Sequence, residues 1–468
     1  MTNNKEINMA THRSPLGKAR SFVIICCIIL VIGIVAYAYF TDSNDSVLER
    51  EKIEENLALY QNCDLGYTNV SSYLKKYGIG NINSYKLNSV ESHLETDFYK
   101  PMPNEYETAR IVTELYLEHY YDTIDKNDKS AVTDALINCL IASLEDPYAY
   151  YRNTEEFKEY LSSLKGNDSF VGIGVMVNAE TLEVIMVYKD SGAEEAGIRR
   201  GDFIYAVNGR TIEEASADEL INDIKGEAGT TVSLTVKRGD ELIDVVATRR
   251  ALSEQTVTYE IDEDGVGYIY VTQFLASTTQ QFIDAVDYCT KNNAIAIVID
   301  MRYNPGGLLS SVVSMIDYIV PDAPDRMITS YTQAQDKNVY YTNDGHGVSA
   351  PIAVICNGGT ASAGELFTAA MRDFADSGAI QAVIVGENTY GKGVVQTSYT
   401  LYDASGITYT IGYYNPPCDV NFDGVGVAPD IEVAEADNTD APFNTAKDEV
   451  MKLVYSNNGM ACIYTPAA

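Results

Sequence analysis

The chain has 468 residues, of which 33 are Lys or Arg and 67 are Asp or Glu, for a formal net charge of −34. A surface this acidic repels nucleic acid and anionic lipid, so neither is expected as a partner. Eight cysteines in 468 residues do not make a disulfide scaffold.

Residues 1–20 carry Lys5, Arg13, Lys18 and Arg20 against Glu6. The next segment, FVIICCIILVIGIVAYAYF (22–40), is uncharged, mostly apolar and just long enough to cross a bilayer as a helix. A basic tail before such a segment places the N-terminus in the cytoplasm and everything after Thr41 outside. The reading is therefore a cytoplasmic tail (1–20), a transmembrane anchor (21–41) and an extracytoplasmic remainder, which carries −37 once the tail's +3 is removed. Cleavage of a signal peptide after Ala38 is the competing reading, because Ala36-Tyr37-Ala38 is an A-x-A-like site.

Residues 42–100 are polar and rich in Tyr and Asn, with one short candidate helix at 46–62, and read as a spacer. From 101 to 165 the pattern turns helical, with YETARIVTELYLEHYYDTI and SAVTDALINCLIASL showing apolar residues three and four apart before Pro147. Residues 168–250 resemble a PDZ domain. SFVGIGVMV supplies a glycine-containing loop opening a strand, AEEAGIRRGDFIYAVNGRTI a helix, turn and strand, and TTVSLTVKRGDELIDVVATRR an alternating hairpin. The resemblance implies a nest of backbone N–H groups at Val171, Gly172, Ile173, Gly174 and Val175 for a peptide carboxylate, with the peptide added as a strand. Ile173, Val175 and a helix after Ser216 are expected to line its side-chain pocket.

Residues 255–435 alternate strand and helix, from GVGYIYV through AIAIVID, PIAVICN and AVIVGE to a hairpin of TSYTLYD and ITYTIGYYN, and form an α/β core. Residues 436–468 are a C-terminal segment. Cys26 and Cys27 lie in the anchor, and Cys139, Cys289 and Cys356 fall on apolar faces, where reduced core thiols are the ordinary outcome. Cys63, Cys418 and Cys462 lie in more polar surroundings, and their pairing stays open.

Three short segments carry the chemistry. In NGGTASAGEL (357–366), PIAVICN reads as a buried strand and ELFTAAMRDF as an amphipathic helix, so Ser362 stands at a helix N-terminus where free N–H groups favour negative charge. The bland reading is that Thr360 or Ser362 is an N-cap. VIDMRYNPGG (298–307) runs from a buried strand into a glycine turn whose bare N–H groups suit an oxyanion hole. TYGKGVVQ (389–396) places Lys392 and Gln396 at i, i+4, on one face if the segment is helical. A serine needs a base, and either histidine or a desolvated lysine serves. Of the four histidines, His12, His93 and His119 lie far upstream; His346, in NDGHG, has only Asp344 nearby to orient it.

DMRYNPGG, NGGTASAGE and GKGVVQ, in this order after a PDZ-like segment, closely resemble the C-terminal processing (tail-specific) serine peptidases, over roughly residues 105–435. The resemblance implies a crotonase-like peptidase core with an inserted PDZ domain and an N-terminal helical region, to which the apolar run 22–40 adds one transmembrane helix. It implies Ser362 as nucleophile, Lys392 as general base and Gln396 as the residue that orients the lysine. The N–H of Gly306 or Gly307 and that of Ala363 would form the oxyanion hole, and Asp300 and Arg302 would brace the turn. Tyr303, Thr360 and a longer stretch between Ser362 and Lys392 depart from the family pattern. CDVNFDGVGVAPD (418–430) has the spacing of an EF-hand calcium loop but lacks flanking helices, so an acidic turn is the favoured reading and no metal or other cofactor is expected.

The reading is a membrane-anchored extracytoplasmic serine endopeptidase that recognises free apolar C-termini of protein or peptide substrates. The alternative is a PDZ adaptor whose peptidase core has lapsed. A homo-oligomer or a regulatory partner stays open.

Overall fold

The computed structural model describes residues 44–60, 65–166, 169–178, 181–322, 326–332, 337–342, 344–435 and 440–457. The expected anchor at 21–41, Cys63 and Cys462 lie outside the described residues. Among the described residues no helix is long and apolar enough to cross a membrane. The chain divides into two compact units, Met1–Asn153 with Ser398–Tyr409, and Thr154–Thr397 with Thr410–Ala468.

The first unit corrects the spacer reading of 42–100. Helices run over Asn44–Tyr60, Val70–Tyr77 and Ser84–Asp97, followed by Glu105–His119 and Lys129–Ala142. The asparagines that made this stretch look unstructured are N-caps: Asn69 accepts from Ser72 N and Asn83 from Lys86 N, satisfying donors that a helix start leaves free. The tyrosines supply the core, since Tyr73, Tyr77 and Tyr116 are almost fully buried beside Leu74, Leu87 and Leu94. Lys86 is buried among them and pairs with Asp134 at 2.8 Å and Asp403 at 2.7 Å, while donating to Tyr151 Oη at 2.7 Å.

In the second unit, residues 169–253 form the β-rich domain read as PDZ-like. Phe203–Val207 pairs antiparallel with Thr231–Arg238, and that strand with Glu241–Thr248. Val175–Val177 pairs with Val184–Val187, and among the described residues no other strand pairs with it. Helix Ala217–Ile224 starts on a capping box between Ser216 and Glu219 and buries Leu220 and Ile224.

The α/β core is a six-stranded sheet in the spatial order Val257–Ile261, Val266–Val271, Ala296–Asp300, Ile352–Cys356, Ala382–Gly386 and Ile431–Glu432. The first pairing is antiparallel and the others parallel. Every residue of Val266–Val271, Ala296–Asp300 and Ile352–Cys356 is buried, because both faces are covered. Helices Thr278–Lys291, Leu309–Ile319 and Ala363–Asp376 join one apolar cluster with Ile269, Ile299 and Val354. Helix Ala441–Asn457 joins the other, where Ala446, Val450 and Met451 pack with Tyr268, Val298 and Ile355. Met186, Tyr188 and Leu252 of the β-rich domain belong to that second cluster, so the domain is seated on the core by apolar side chains.

Candidate active site

The parallel strands deliver their C-terminal ends to one edge of the sheet, where ligand sites of α/β folds gather. Ala296–Asp300 runs into the NPGG turn and Ile352–Cys356 into the turn before Ser362. Asn304 joins the two turns. Its carbonyl accepts Ala361 N at 2.8 Å, its Nδ2 donates to Val271 O at 2.9 Å, and its Oδ1 accepts Gly306 N at 2.9 Å. Thr360 adds a second tie, donating from Oγ1 to Met301 O at 2.8 Å.

Ser362 caps helix Ala363–Asp376 in an unusual backbone state, φ 55° and ψ −118°. A non-glycine residue at positive φ is strained and persists only where neighbours enforce it. Here the enforcer is Glu365, fully buried, whose Oε2 accepts Ser362 N at 2.8 Å. The same oxygen accepts Lys392 N at 2.7 Å, and Oε1 accepts Thr389 Oγ1 and Gly391 N at 2.6 Å each. One buried carboxylate thus sets the serine turn and the lysine loop against each other. Its signal is present in the sequence, because Ser362-Ala363-Gly364-Glu365 has the S-x-x-E spacing of a capping box, although that spacing alone does not show that the carboxylate also reaches the lysine loop.

The lysine loop is clamped from its other side by 419–427. Asp423 Oδ1 accepts Gly393 N at 3.0 Å, Asn421 Nδ2 donates to Gly393 O at 2.9 Å, and Gly424 N donates to Gly391 O at 2.9 Å. Gly391 (φ 92°) permits this: an added Cβ would lie 3.1 Å from the backbone nitrogens of Gly426 and Val425. The loop with EF-hand-like spacing works as this clamp, and Asp419 accepts Tyr331 Oη at 2.8 Å.

The structure places the remaining sequence-derived residues as follows. Gln396 is not on a helix with Lys392; it lies in strand Val394–Thr400, with Nε2 3.2 Å from Thr410 Oγ1. The i, i+4 expectation failed because Val394 and Val395 are β-branched and join a hairpin strand. Gly306 N is occupied by Asn304, whereas among the described residues no acceptor engages Gly307 N or Ala363 N. Gly306 has a packing role: a Cβ there would lie 2.6 Å from Ser362 Cβ and 2.9 Å from Ala363 N. Asp300 and Arg302 brace the turn as expected. Buried Asp300 accepts Arg302 Nη2 at 2.6 Å and Tyr268 Oη at 2.7 Å, and Arg302 Nη1 reaches Asp440 Oδ1 at 2.9 Å. His346 is remote from this constellation: its ring stacks on Tyr318.

In the β-rich domain, Val171 and Gly172 lie in a strand paired with Arg250–Ser253, and Val175 starts the strand with the unpaired edge. Ile173 does not line a surface pocket; it is 1% exposed and sits in the domain core with Leu220 and Val232. Residues two apart share a face on a continuous strand, but Gly174 at φ 83° interrupts the extended chain between them, so Val175 remains half-buried while Ile173 points inward. Cys139, Cys289 and Cys356 are buried free thiols, as expected, and Cys418 is free and exposed.

Residues 265–433 match the family model of peptidase family S41, and residues 183–238 match a PDZ domain model. This segment, 265–433, is a peptidase family S41 domain. It is 30% identical over 328 residues to a "Probable CtpA-like serine protease" of Staphylococcus haemolyticus (strain JCSC1435), covering 68% of this chain and 64% of that one. It is 33% identical over 317 residues to the protein of the same description in Staphylococcus aureus (strain COL), covering 67% and 62%. The chain therefore spans a little under two thirds of the length of these relatives. A solved structure of an S41 protease homologue from Bacteroides fragilis NCTC 9343 superposes with a TM-score of 0.51 at 17% identity, over 80% of this chain and 98% of that one. At that identity the likeness concerns the fold.

Proposed function

We propose that this chain is a serine endopeptidase held at the outer face of the cell membrane by its N-terminal segment, with Ser362 as nucleophile and Lys392 as general base. The observation that carries the proposal is the shared acceptor at Glu365 Oε2, which binds the backbone N–H of both residues. In the proposed reaction Ser362 Oγ attacks the scissile carbonyl while Lys392 takes its proton and later delivers it to the leaving amine. The oxyanion that forms is received by Gly307 N and Ala363 N, which no acceptor engages among the described residues. Gln396 holds the lysine loop from the hairpin side through its bond to Thr410.

The PDZ domain supplies substrate capture. An extended peptide adds to the open edge of Val175–Val177, and its carboxylate enters the glycine-containing turn before that strand. This favours substrates defined by a free, apolar C-terminus, as in processing or quality control of exported proteins. The deciding experiment is casein degradation and fluorophosphonate labelling by wild type and Ser362→Ala. Retention of either activity by the variant refutes the assignment, and a wild type inert in both turns the reading to a PDZ adaptor.

A further inference from the structure

Tyr414 touches the proposed nucleophile. It lies in strand Gly406–Asn415 and is 3% exposed. Its hydroxyl is 3.0 Å from Ser362 Oγ and 2.8 Å from the carbonyl oxygen of Lys392. Its backbone is held on both sides, with Tyr414 N on Gly393 O at 3.3 Å and Tyr414 O accepting Asn421 Nδ2 at 2.9 Å. The phenol is therefore a fixed post rather than a mobile side chain.

Proton counting decides what the post does. A phenol has one O–H to donate, whereas a carbonyl oxygen can only accept. At 2.8 Å, two oxygens need a hydrogen between them, and only Tyr414 can provide the one facing Lys392 O. Once that proton is committed, the 3.0 Å contact with Ser362 must be made by the serine hydroxyl donating to Tyr414 Oη. These two hydrogen bonds then run in one direction, from Ser362 to Tyr414 to the Lys392 carbonyl.

We infer that Tyr414 is a positioning residue that parks the Ser362 hydroxyl in a resting arrangement, its proton turned onto the phenol oxygen rather than onto the general base. Attack requires Ser362 Oγ–H to rotate off Tyr414 while the tyrosine keeps its own proton on the Lys392 carbonyl. The rotation itself breaks only this hydrogen bond; the O–H bond is broken in the attack that follows, when the proton passes to Lys392. The resting site gives up one ordinary hydrogen bond before it reacts, so a substrate must supply the contacts that favour the rotated serine. The inference rests on the nucleophile assignment made above.

The test uses the purified full chain and the second-order rate of fluorophosphonate labelling at Ser362, a small probe that offers few contacts to pull the serine off its post. Tyr414→Phe removes the acceptor and keeps the ring. Its labelling is expected to be roughly fivefold faster than wild type, the fold-change equivalent to one neutral hydrogen bond. Replacing Tyr414 by 3-fluorotyrosine keeps ring, hydroxyl and both contacts but makes the oxygen a weaker acceptor and a stronger donor. Labelling at a pH where the phenol stays protonated is then expected to fall between wild type and the Phe variant, a graded response that a purely structural tyrosine would not give. A Phe variant at or below the wild-type rate, or a fluorotyrosine protein equal to wild type, overturns the inference. Ser362→Ala separates the two levels: labelling that persists in it, or is absent from every protein, overturns the nucleophile assignment itself and this inference with it.

Discussion

Glu365 accepts the backbone N–H of Lys392 at 2.7 Å through the oxygen that also holds Ser362 N. The carboxylate is fully buried and receives four donors, so it acts as a structural anion whose charge is met by N–H and O–H dipoles. Glu365→Gln exchanges one acceptor oxygen for an NH2 group that cannot accept. Donors on that side lose their partner, at about 1–3 kcal/mol for each one left unsatisfied. The expected outcome is a lower melting temperature together with at least a tenfold loss in casein degradation, whereas Glu365→Asp, too short to span both loops, should do no better. Unchanged melting and activity in the Gln variant would show that the carboxylate does not organise the site.

Lys86 makes a second prediction, in the N-terminal unit. Its ammonium is 5% exposed and faces Asp134 and Asp403, and these partners together outweigh the burial that opposes its charge. Lys86→Met leaves the two carboxylates facing an apolar side chain. Removing one partner of a buried ion pair costs about 3–5 kcal/mol, which urea denaturation would register as a shifted midpoint. A midpoint equal to wild type would mean that water solvates the carboxylates well enough to make the lysine dispensable.

Glu91 supplies the pH dependence. Burial raises its pKa from 4.5 to about 7, opposed by the Val70 N–H and reinforced by Glu95 and Glu105. The folded state therefore binds a proton more tightly than the unfolded chain. The stabilisation is present in full below the unfolded value of 4.5 and is lost as pH rises through about 7. Glu91→Gln keeps an oxygen for Val70 N and removes the titration, so its melting temperature should exceed wild type above about pH 8 and converge with it near about pH 5. A difference between the two proteins that does not vary with pH contradicts this.

Substrate capture is better tested through the peptide than through the PDZ turn. Gly174 adopts φ 83°, and a Cβ there would lie 2.3 Å from Ser191 Cβ, so a substitution would disturb the fold as well as any carboxylate nest. One model peptide with an apolar C-terminus, presented free and amidated, changes only the ligand. The free acid is expected to be cleaved at least tenfold more efficiently, with the difference mainly in KM. Equal kcat/KM for the two forms removes carboxylate recognition from the proposal.

Much of the core was readable from local pattern. The apolar runs 294–300 and 351–357 contain the strands Ala296–Asp300 and Ile352–Cys356, and the periodic segment after Ser362 forms helix Ala363–Asp376. Composition misleads over residues 42–100, because tyrosine and asparagine count as polar although Tyr73 and Tyr77 fill a core and Asn69 and Asn83 start helices. The Lys392–Gln396 pair was misread because i, i+4 spacing has meaning only on a helix, and β-branched Val394 and Val395 entered a strand.

The sequence by itself determined where the candidate catalytic residues lie. Ser362, Lys392 and the NPGG turn lie in short motifs, and a motif is local: its glycines, its strand before and its helix after are written within about ten residues of one another. Tertiary structure alone decided how those motifs meet. That Asn304 occupies Gly306 N and leaves Gly307 N open, that Ile173 turns into its domain core, and that Tyr414 stands 3.0 Å from Ser362 Oγ are contacts set by the path of the chain. Tyr414 is separated from Ser362 by 52 positions, and no local periodicity specifies a hydrogen bond across that distance; it exists because the hairpin strand and the Ser362 turn are both anchored on the loop that carries Lys392.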